Sequence, residues 1–293
     1  MEGLAVLLAL ATTVVSLLFA VCLLDQYLER RKPYQAVWTA GLTWYAIGTL
    51  TEFLGEYRGW DSALYRWWYV AGAICVAAYL GAGVVFLLTP GPFAYVVIVA
   101  LVLGALPALF AGAPGVAVAG LVAAALLLVT LRVRPAWFSR VGLLLLVGGS
   151  LLAALAVWSA PLDASRLPVA GGAVSGAAFP ATIRLMTPLF NITGATALVG
   201  GALYSAWLFW QRGQYPRRVV SNVLIAVGAF IPTMATGLSR FGVPRLLYPG
   251  EFLGVLFIFA GFLVSVDIVH QFRIPFTRVV IGRRAGRAHA GLR

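Results

Sequence analysis

The chain has 293 residues, of which 62% are hydrophobic and only 10% charged, and its formal net charge is +12. A soluble protein carries roughly 45–50% apolar and about 25% charged residues, so this composition excludes an ordinary water-soluble globule and makes a bilayer the natural solvent. The basic residues come in short bursts between long apolar runs, a pattern that suits membrane orientation and anionic head-groups and speaks against nucleic acid as a partner.

A helix needs about 20 apolar residues to cross ~30 Å of hydrocarbon. On that scale the sequence predicts an all-α, polytopic transmembrane helix bundle of nine spans. They are Leu4–Leu24, Ala36–Leu54, Leu64–Leu88, Phe93–Ala111, Val116–Leu131, Val141–Ala160, Leu185–Trp210, Val219–Leu238 and Glu251–Gln271. Met1-Glu2-Gly3 leads straight into the first run without a basic stretch, so that run is expected to be a retained helix rather than a signal peptide. The fourth and fifth spans share one apolar stretch, divided at Ala113-Pro114-Gly115, a turn signal. The fallback is seven full spans plus a re-entrant hairpin over residues 93–131.

With the N-terminus outside and the C-terminus inside, fifteen basic residues fall on the inner side and six on the outer side, the bias expected of a plasma-membrane protein, here a bacterial inner-membrane one. Trp67, Trp68 and Tyr69, with Trp158, are expected to anchor the outer interface, and Trp38, Trp207 and Trp210 the inner one. The longest outer loop, Pro161–Arg184, is rich in Gly, Ala and Pro. Its weak polarity suggests packing on the bundle, with a flexible loop as the competing reading.

Residues 1–272 read as a single transmembrane helical domain and 273–293 as a basic cytoplasmic tail lying on anionic lipid head-groups. A weak repeat, 1–88 against 185–271, is suggested by similar Tyr-Pro-basic turns after the first and seventh spans. Small residues recur every fourth position at Ala73, Ala77 and Gly81, and at Ala197, Gly201 and Ser205. Such seams let helices approach closely, inside the chain or toward a protein partner or a second copy.

Ionisable groups at mid-depth mark catalysis or ion coupling in a membrane, and none of the nine acids falls there. The two histidines, His270 and His289, are both near the inner face, too few and too shallow for bis-histidine haem. Cys22 and Cys75 form no CxxC pair. Ser150 follows two glycines but has no histidine at its depth to activate it. No catalytic residue, metal set or cofactor is therefore predicted.

What remains is an outer polar cluster as a candidate ligand site: Glu52, Glu56, Arg66, Arg184, Asn191 and Glu251. Glu52 and Glu56 share a face if their helix continues, and Arg240 and Arg245 lie in the loop before Glu251. The alternative is a set of helix-end charges satisfied by water and by one another. Deeper down only neutral groups occur, among them Thr49, Thr51, Thr193, Thr233 and Thr236, with Pro188 and Pro232 expected to kink their helices. At the inner face Asp267 and His270 form a candidate pair one turn apart. The expected function is non-enzymatic binding or transport of a lipid-like or small amphipathic molecule. The alternative is a structural, sensory or accessory subunit of a membrane complex.

Overall fold

The computed structural model describes residues 2–169, 172, 174–213, 215–240, 243, 246–265, 272–273, 275 and 280–281. The chain runs through α1 (Glu2–Arg30), α2 (Pro33–Arg58), α3 (Ser62–Leu88), α4 (Phe93–Phe110) and α5 (Pro114–Val133). It continues through α6 (Phe138–Ser159), α7 (Ala181–Arg212), α8 (Pro216–Arg240) and α9 (Leu247–Ser265). Two-residue strands β1 (Phe272–Arg273) and β2 (Val280–Ile281) pair antiparallel in the C-terminal tail.

Eight helices are long and apolar enough to cross a membrane among the described residues. The long helix outside that set is α2. It carries Gln35, four threonines, Glu52 and Glu56, yet its 26 residues span about 39 Å at 1.5 Å per residue. Gln35, Thr49, Thr51, Glu52 and Glu56 are buried in protein, where α1 and α3 cover the helix, while Thr39 and Thr43 donate to carbonyls of their own helix. Thr13 on α1 and Thr49 on α2 join hydroxyls at 3.0 Å, while Thr12 and Ser16 return their protons to carbonyls of their own helix at 2.7 Å. The α4–α5 hairpin turns at residues 111–113, and both of its arms have spanning length.

The α2–α3 turn, the 160–180 loop and the start of α9 lie at one end of the bundle. Tyr65 donates to the Ser175 carbonyl at 2.5 Å there, Tyr69 and Thr187 share a hydrogen bond of 2.7 Å, and Tyr248 reaches Glu56. The α1–α2, α4 and α6 ends lie at the other, where Gln35 donates to Gln26 at 3.1 Å and Thr89 meets Ser139 at 2.8 Å.

The predicted small-residue stripe on α3 meets α7, but at Gly194, which lies outside the predicted Ala197, Gly201 and Ser205 stripe. Ala77 and Gly81 on α3 press on Gly194 of α7, where a Cβ at either glycine would overlap backbone of the opposite helix. Gly201 packs against Val84 in the same crossing. Ala77, Gly81 and Gly201 are thus occupied inside the chain. The α8–α9 crossing is equally close: a Cβ on Gly228 would stand 2.7 Å from the Gly254 carbonyl oxygen, and the Ser221 hydroxyl donates to the Gly261 carbonyl at 2.6 Å.

Two helices contain wide π-type turns, Tyr69–Cys75 in α3 and Thr196–Gly200 in α7. Such a turn inserts a residue and rotates the face presented by the rest of the helix. Helix α7 also breaks at Leu185, where Pro188 cannot donate to the Arg184 carbonyl. Pro232 lies inside a continuous α8, and Thr233 donates to the Ala229 carbonyl at 3.0 Å.

The loop 161–184 folds onto the bundle. Val174, Ala178, Phe179 and Ile183 join the buried aromatic cluster of Tyr65, Trp68 and Tyr69. Arg66 fastens this loop from below, donating to the Val157 carbonyl and, at 2.9 Å, to that of Ala160, with its guanidinium 5.7 Å from the Phe179 ring centre. Arg66 thereby satisfies the last carbonyls of α6, the role a cation serves at a helix C-terminus. Arg66→Ala is expected to cost about 2 kcal/mol. It should also speed proteolysis within 161–184, read by limited digestion and thermal unfolding in detergent; unchanged digestion would show that the loop is held by its apolar contacts alone.

Candidate functional site

On α2, Tyr45, Glu52 and Glu56 stand at i, i+7 and i+11, one stripe of a helix. On α9, Tyr248 and Glu251 stand at i, i+3 and face that stripe. Tyr45 donates to the Glu251 main-chain carbonyl at 2.9 Å, and Tyr248 to Glu56 Oε1 at 2.8 Å. From α3, Trp68 Nε1 donates to Glu52 Oε1 at 2.8 Å. The Glu52 and Glu251 carboxyls are themselves in hydrogen-bonding contact. Glu52 and Glu56 are only 4% and 6% exposed, so they are not solvated helix-end charges.

The second oxygens, Oε2 of Glu52 and Oε2 of Glu251, are buried and find no donor among the described residues. An ionised carboxyl only accepts hydrogen bonds, whereas a protonated one also donates. Two carboxyls can therefore bond to each other only with a proton between them. No basic side chain among the described residues forms an ion pair with Glu52 or Glu251. Two uncompensated negative charges in contact out of water are prohibitively costly, so the pair holds either a proton or another cation.

Around the acids stands a wall of rings. Trp60 and Trp68 lie at 6.1 Å, nearly perpendicular, Tyr65 and Trp68 at 5.5 Å, and Tyr65 and Phe179 at 5.2 Å. Trp60 Nε1 is a further buried group lacking a partner. Of the four such buried side-chain atoms among the described residues, three thus gather at this end of the bundle. Native proteins leave few buried polar atoms unpaired, and each asks for a physical explanation.

The first three helices and the last three face each other along one interface, and the acids occupy one end of it. Farther along is an apolar cavity of about 40 Å³, lined by residues from both groups, including Phe19, Leu42 and Leu80 on one side and Leu198, Ile258 and Phe262 on the other. Ile258 lies seven residues beyond Glu251, about 10 Å along α9.

The structure brings together three of the six residues predicted from sequence: Glu52, Glu56 and Glu251. Arg66 belongs instead to the loop attachment, and Arg184 is exposed at the end of the first turn of α7, on the Tyr65 side. Asn191 is half-buried on α7, one turn before Gly194, and Thr193 donates to the Leu189 carbonyl at 2.8 Å. Asp267 and His270 lie outside the described residues, as does Arg245. Sequence reading missed Trp68, Tyr45, Tyr248 and Trp60. Trp68 and Tyr69, expected as interface anchors, are both buried, whereas Trp67 is half-exposed with its ring edge-on to Trp158 at 5.9 Å. The signal available for Tyr45 and Tyr248 was their spacing from the glutamates.

Among the described residues no three His, Cys, Asp or Glu side chains gather as a metal set. Cys22 and Cys75 are free thiols, and Ser150 donates to the Leu146 carbonyl at 2.7 Å beside Cys75 and Tyr79. In the exposed loop Asp163 accepts from the Ser165 hydroxyl and backbone N–H and pairs with Arg166 at 3.1 Å. The Ser165 bonds chiefly, then the Arg166 charge, hold its carboxyl below the ordinary carboxylate range. Comparison with protein-family models, with curated proteins and with solved structures gives no match.

Proposed function

We propose that this chain is a non-enzymatic membrane protein that binds or transports a small amphipathic molecule, taken up at the Glu52–Glu251 end of the bundle. One observation carries the reading. A single interface between the first and last three helices has buried carboxyls at one end and, about 10 Å farther along α9, a small apolar cavity. A polar head and an apolar body would each meet their own chemistry along that line.

The same reading gives the chain nine spans, with α2 as the ninth, crossing inside a shell of its neighbours. It sets the N-terminus outside and the C-terminus inside a bacterial plasma membrane, supported by the fifteen-to-six distribution of basic residues. The site then opens toward the outer face, and the basic tail meets anionic head-groups inside.

Native mass spectrometry of the gently extracted protein tests the function. The expected result is a discrete small molecule retained at one per chain, above the bulk phospholipid background, and lost in Glu52→Gln. A stoichiometric protein partner with no retained small molecule would replace this reading by an accessory subunit. That alternative draws on the face of α6 carrying Leu144, Leu151, Leu152 and Leu155, each more than 60% exposed, which a partner helix would cover as well as lipid.

A further inference from the structure

We propose that the proton shared by Glu52 and Glu251 works as a pH-operated latch between α2 and α9: the helices stay together at the acid end of the bundle while the proton is held and part there when it leaves. The proposal concerns the chain's own conformation and stands without the ligand proposed above.

The seam between α2 and α9 is polar where the acids lie. Among the described residues, the side-chain hydrogen bonds joining these two helices are Tyr45 to the Glu251 carbonyl at 2.9 Å, Tyr248 to Glu56 at 2.8 Å, and the contact between the Glu52 and Glu251 carboxyls. A phenol O–H donates to a carbonyl or a carboxylate alike, so the first two bonds survive ionisation of the acids. The third does not. With its proton it attracts; without it two anions face each other out of water. It is the contact of the three that reverses sign.

What moves follows from the packing on either side. Helix α9 is fixed to α8, where a Cβ on Gly254 would overlap Pro232 and one on Gly261 would stand 2.7 Å from the Ser221 carbonyl oxygen. Helix α2 is fixed to α1 by the Thr13 and Thr49 hydroxyls at 3.0 Å, and to α3, where a Cβ on Gly48 would stand 3.0 Å from Gly72. Farther from the acids, rings hold α1 against α9: Phe19 lies 4.8 Å from Phe259 and 5.0 Å from Phe262. These two phenylalanines stand eight and eleven residues beyond Glu251, about 12 and 16.5 Å along α9. Loss of the proton then swings the α8–α9 pair about this apolar contact and lets water reach the anions.

Among the described side chains no neighbour replaces the proton with a positive charge. The titratable groups beside the pair are Tyr45 and Glu56 on α2 and Tyr248 on α9. From α3 come the uncharged Trp68 and, one turn earlier, Tyr65, whose hydroxyl donates to the Ser175 carbonyl. Asp61 caps α3, and Arg58 is exposed at the end of α2. Helix α1 carries no acid or base between Gly3 and Val21, nor α8 between Val219 and Ser239. Helix α8 ends at Arg240, and the 161–184 loop at Arg184, on the Tyr65 side.

The direction follows from proton counting. On opening, the O–H bond breaks, the proton passes to water, and the pair goes from one negative charge to two. The closed state thus binds one proton more than the open one. By linkage, rising pH lowers the closed-to-open ratio by roughly tenfold per unit wherever that difference holds.

The test uses the full chain in lipid nanodiscs, carrying Cys22→Ser and Cys75→Ala, with spin labels on Tyr57→Cys at the end of α2 and Leu246→Cys just before α9, both exposed positions. The distance between the labels is followed from acid to alkaline pH, and difference infrared spectroscopy follows the protonated-carboxyl band over the same range. The band is expected to fade and a longer distance to appear together, the closed-to-open ratio falling roughly tenfold per pH unit. In Glu52→Gln the amide donates to Glu251 whether or not that carboxyl is ionised, so the short distance should persist at every pH. Glu251→Gln should behave alike and serves if Glu52→Gln fails to fold. A distance that stays short while the band fades would overturn the latch, as would one that lengthens equally in the glutamine variants. A band and a distance that both stay constant over the whole range would overturn it too.

Discussion

Replacing Gly194 with leucine is expected to abolish recovery of folded, monodisperse protein, because no side chain of any size fits at that point. A Cβ on Gly194 would fall onto the backbone of Ala77 and Ala78 in α3, and one on Gly81 would fall onto Gly194 itself. Neither neighbour is the flexible end of a side chain that can swing aside. The two helices must separate along their whole crossing, and with them the buried contacts of Leu80, Val84 and Leu198. Overpacking in a core usually costs about 1–3 kcal/mol. A backbone-on-backbone clash belongs at or beyond the top of that range, comparable to a large part of the roughly 5–15 kcal/mol that holds a typical domain together. Gly148→Ala is the matched control. It lies in the middle of α6 with nothing within 4 Å of an added Cβ, and there alanine should be neutral or stabilising by about 0.5–1 kcal/mol. Fluorescence-detected size exclusion and thermal unfolding of both variants decide the matter. A well-folded Gly194→Leu would mean that α3 and α7 do not depend on this contact.

The same crossing shows which parts of the fold were legible in the sequence. Apolar run length predicted the long helices, because hydrocarbon thickness sets the length of a spanning helix. The turn at Ala113-Pro114-Gly115 was equally readable, since Pro and Gly act through the backbone alone. The small-residue stripes announced a close approach but not its partner. That Ala77 and Gly81 meet Gly194 depends on a tertiary arrangement that local periodicity does not encode.

The acid cluster was half legible for a related reason. Glu52, Glu56 and Glu251 stood out because charge at a helix end is rare in so apolar a chain. Arg66 and Arg184 looked like their counter-ions by proximity in sequence and depth. Yet Arg66 turns to the carbonyls of α6, since a guanidinium that can cap a helix end and lie on Phe179 is well satisfied there. Trp68 was read as an interface anchor from its position next to Trp67. Successive residues on a helix point about 100° apart, so Trp67 faces outward while Trp68 faces Glu52. The wide turn at Tyr69–Cys75 then shifts every later face of α3, and nothing in the sequence marks it.

Glu52→Ala and Glu52→Gln should differ sharply, and the difference reports the state of the carboxyl pair. Alanine removes the acceptor of Trp68 Nε1 and the partner of the Glu251 carboxyl, and leaves a void among Tyr45, Trp68 and Tyr248. An orphaned buried donor costs about 1–3 kcal/mol and the void adds to it, so Glu52→Ala should lose about 2–4 kcal/mol. Glutamine keeps the shape. Its carbonyl oxygen can still accept from Trp68, and its amide can donate to the Glu251 carboxyl. If the native pair is one carboxyl donating to another, glutamine reproduces that hydrogen bond with a permanent N–H in place of the shared proton, and stability should stay within about 1 kcal/mol of the parent. Thermal unfolding in one lipid environment measures both. If glutamine were as damaging as alanine, the parent site would need both carboxylates ionised around a tightly held cation, and the shared proton would be wrong. If glutamine is tolerated yet ligand retention is lost, the two roles of Glu52 separate. Holding α2 against α9 then needs only a hydrogen bond, whereas retaining the ligand needs the carboxyl itself.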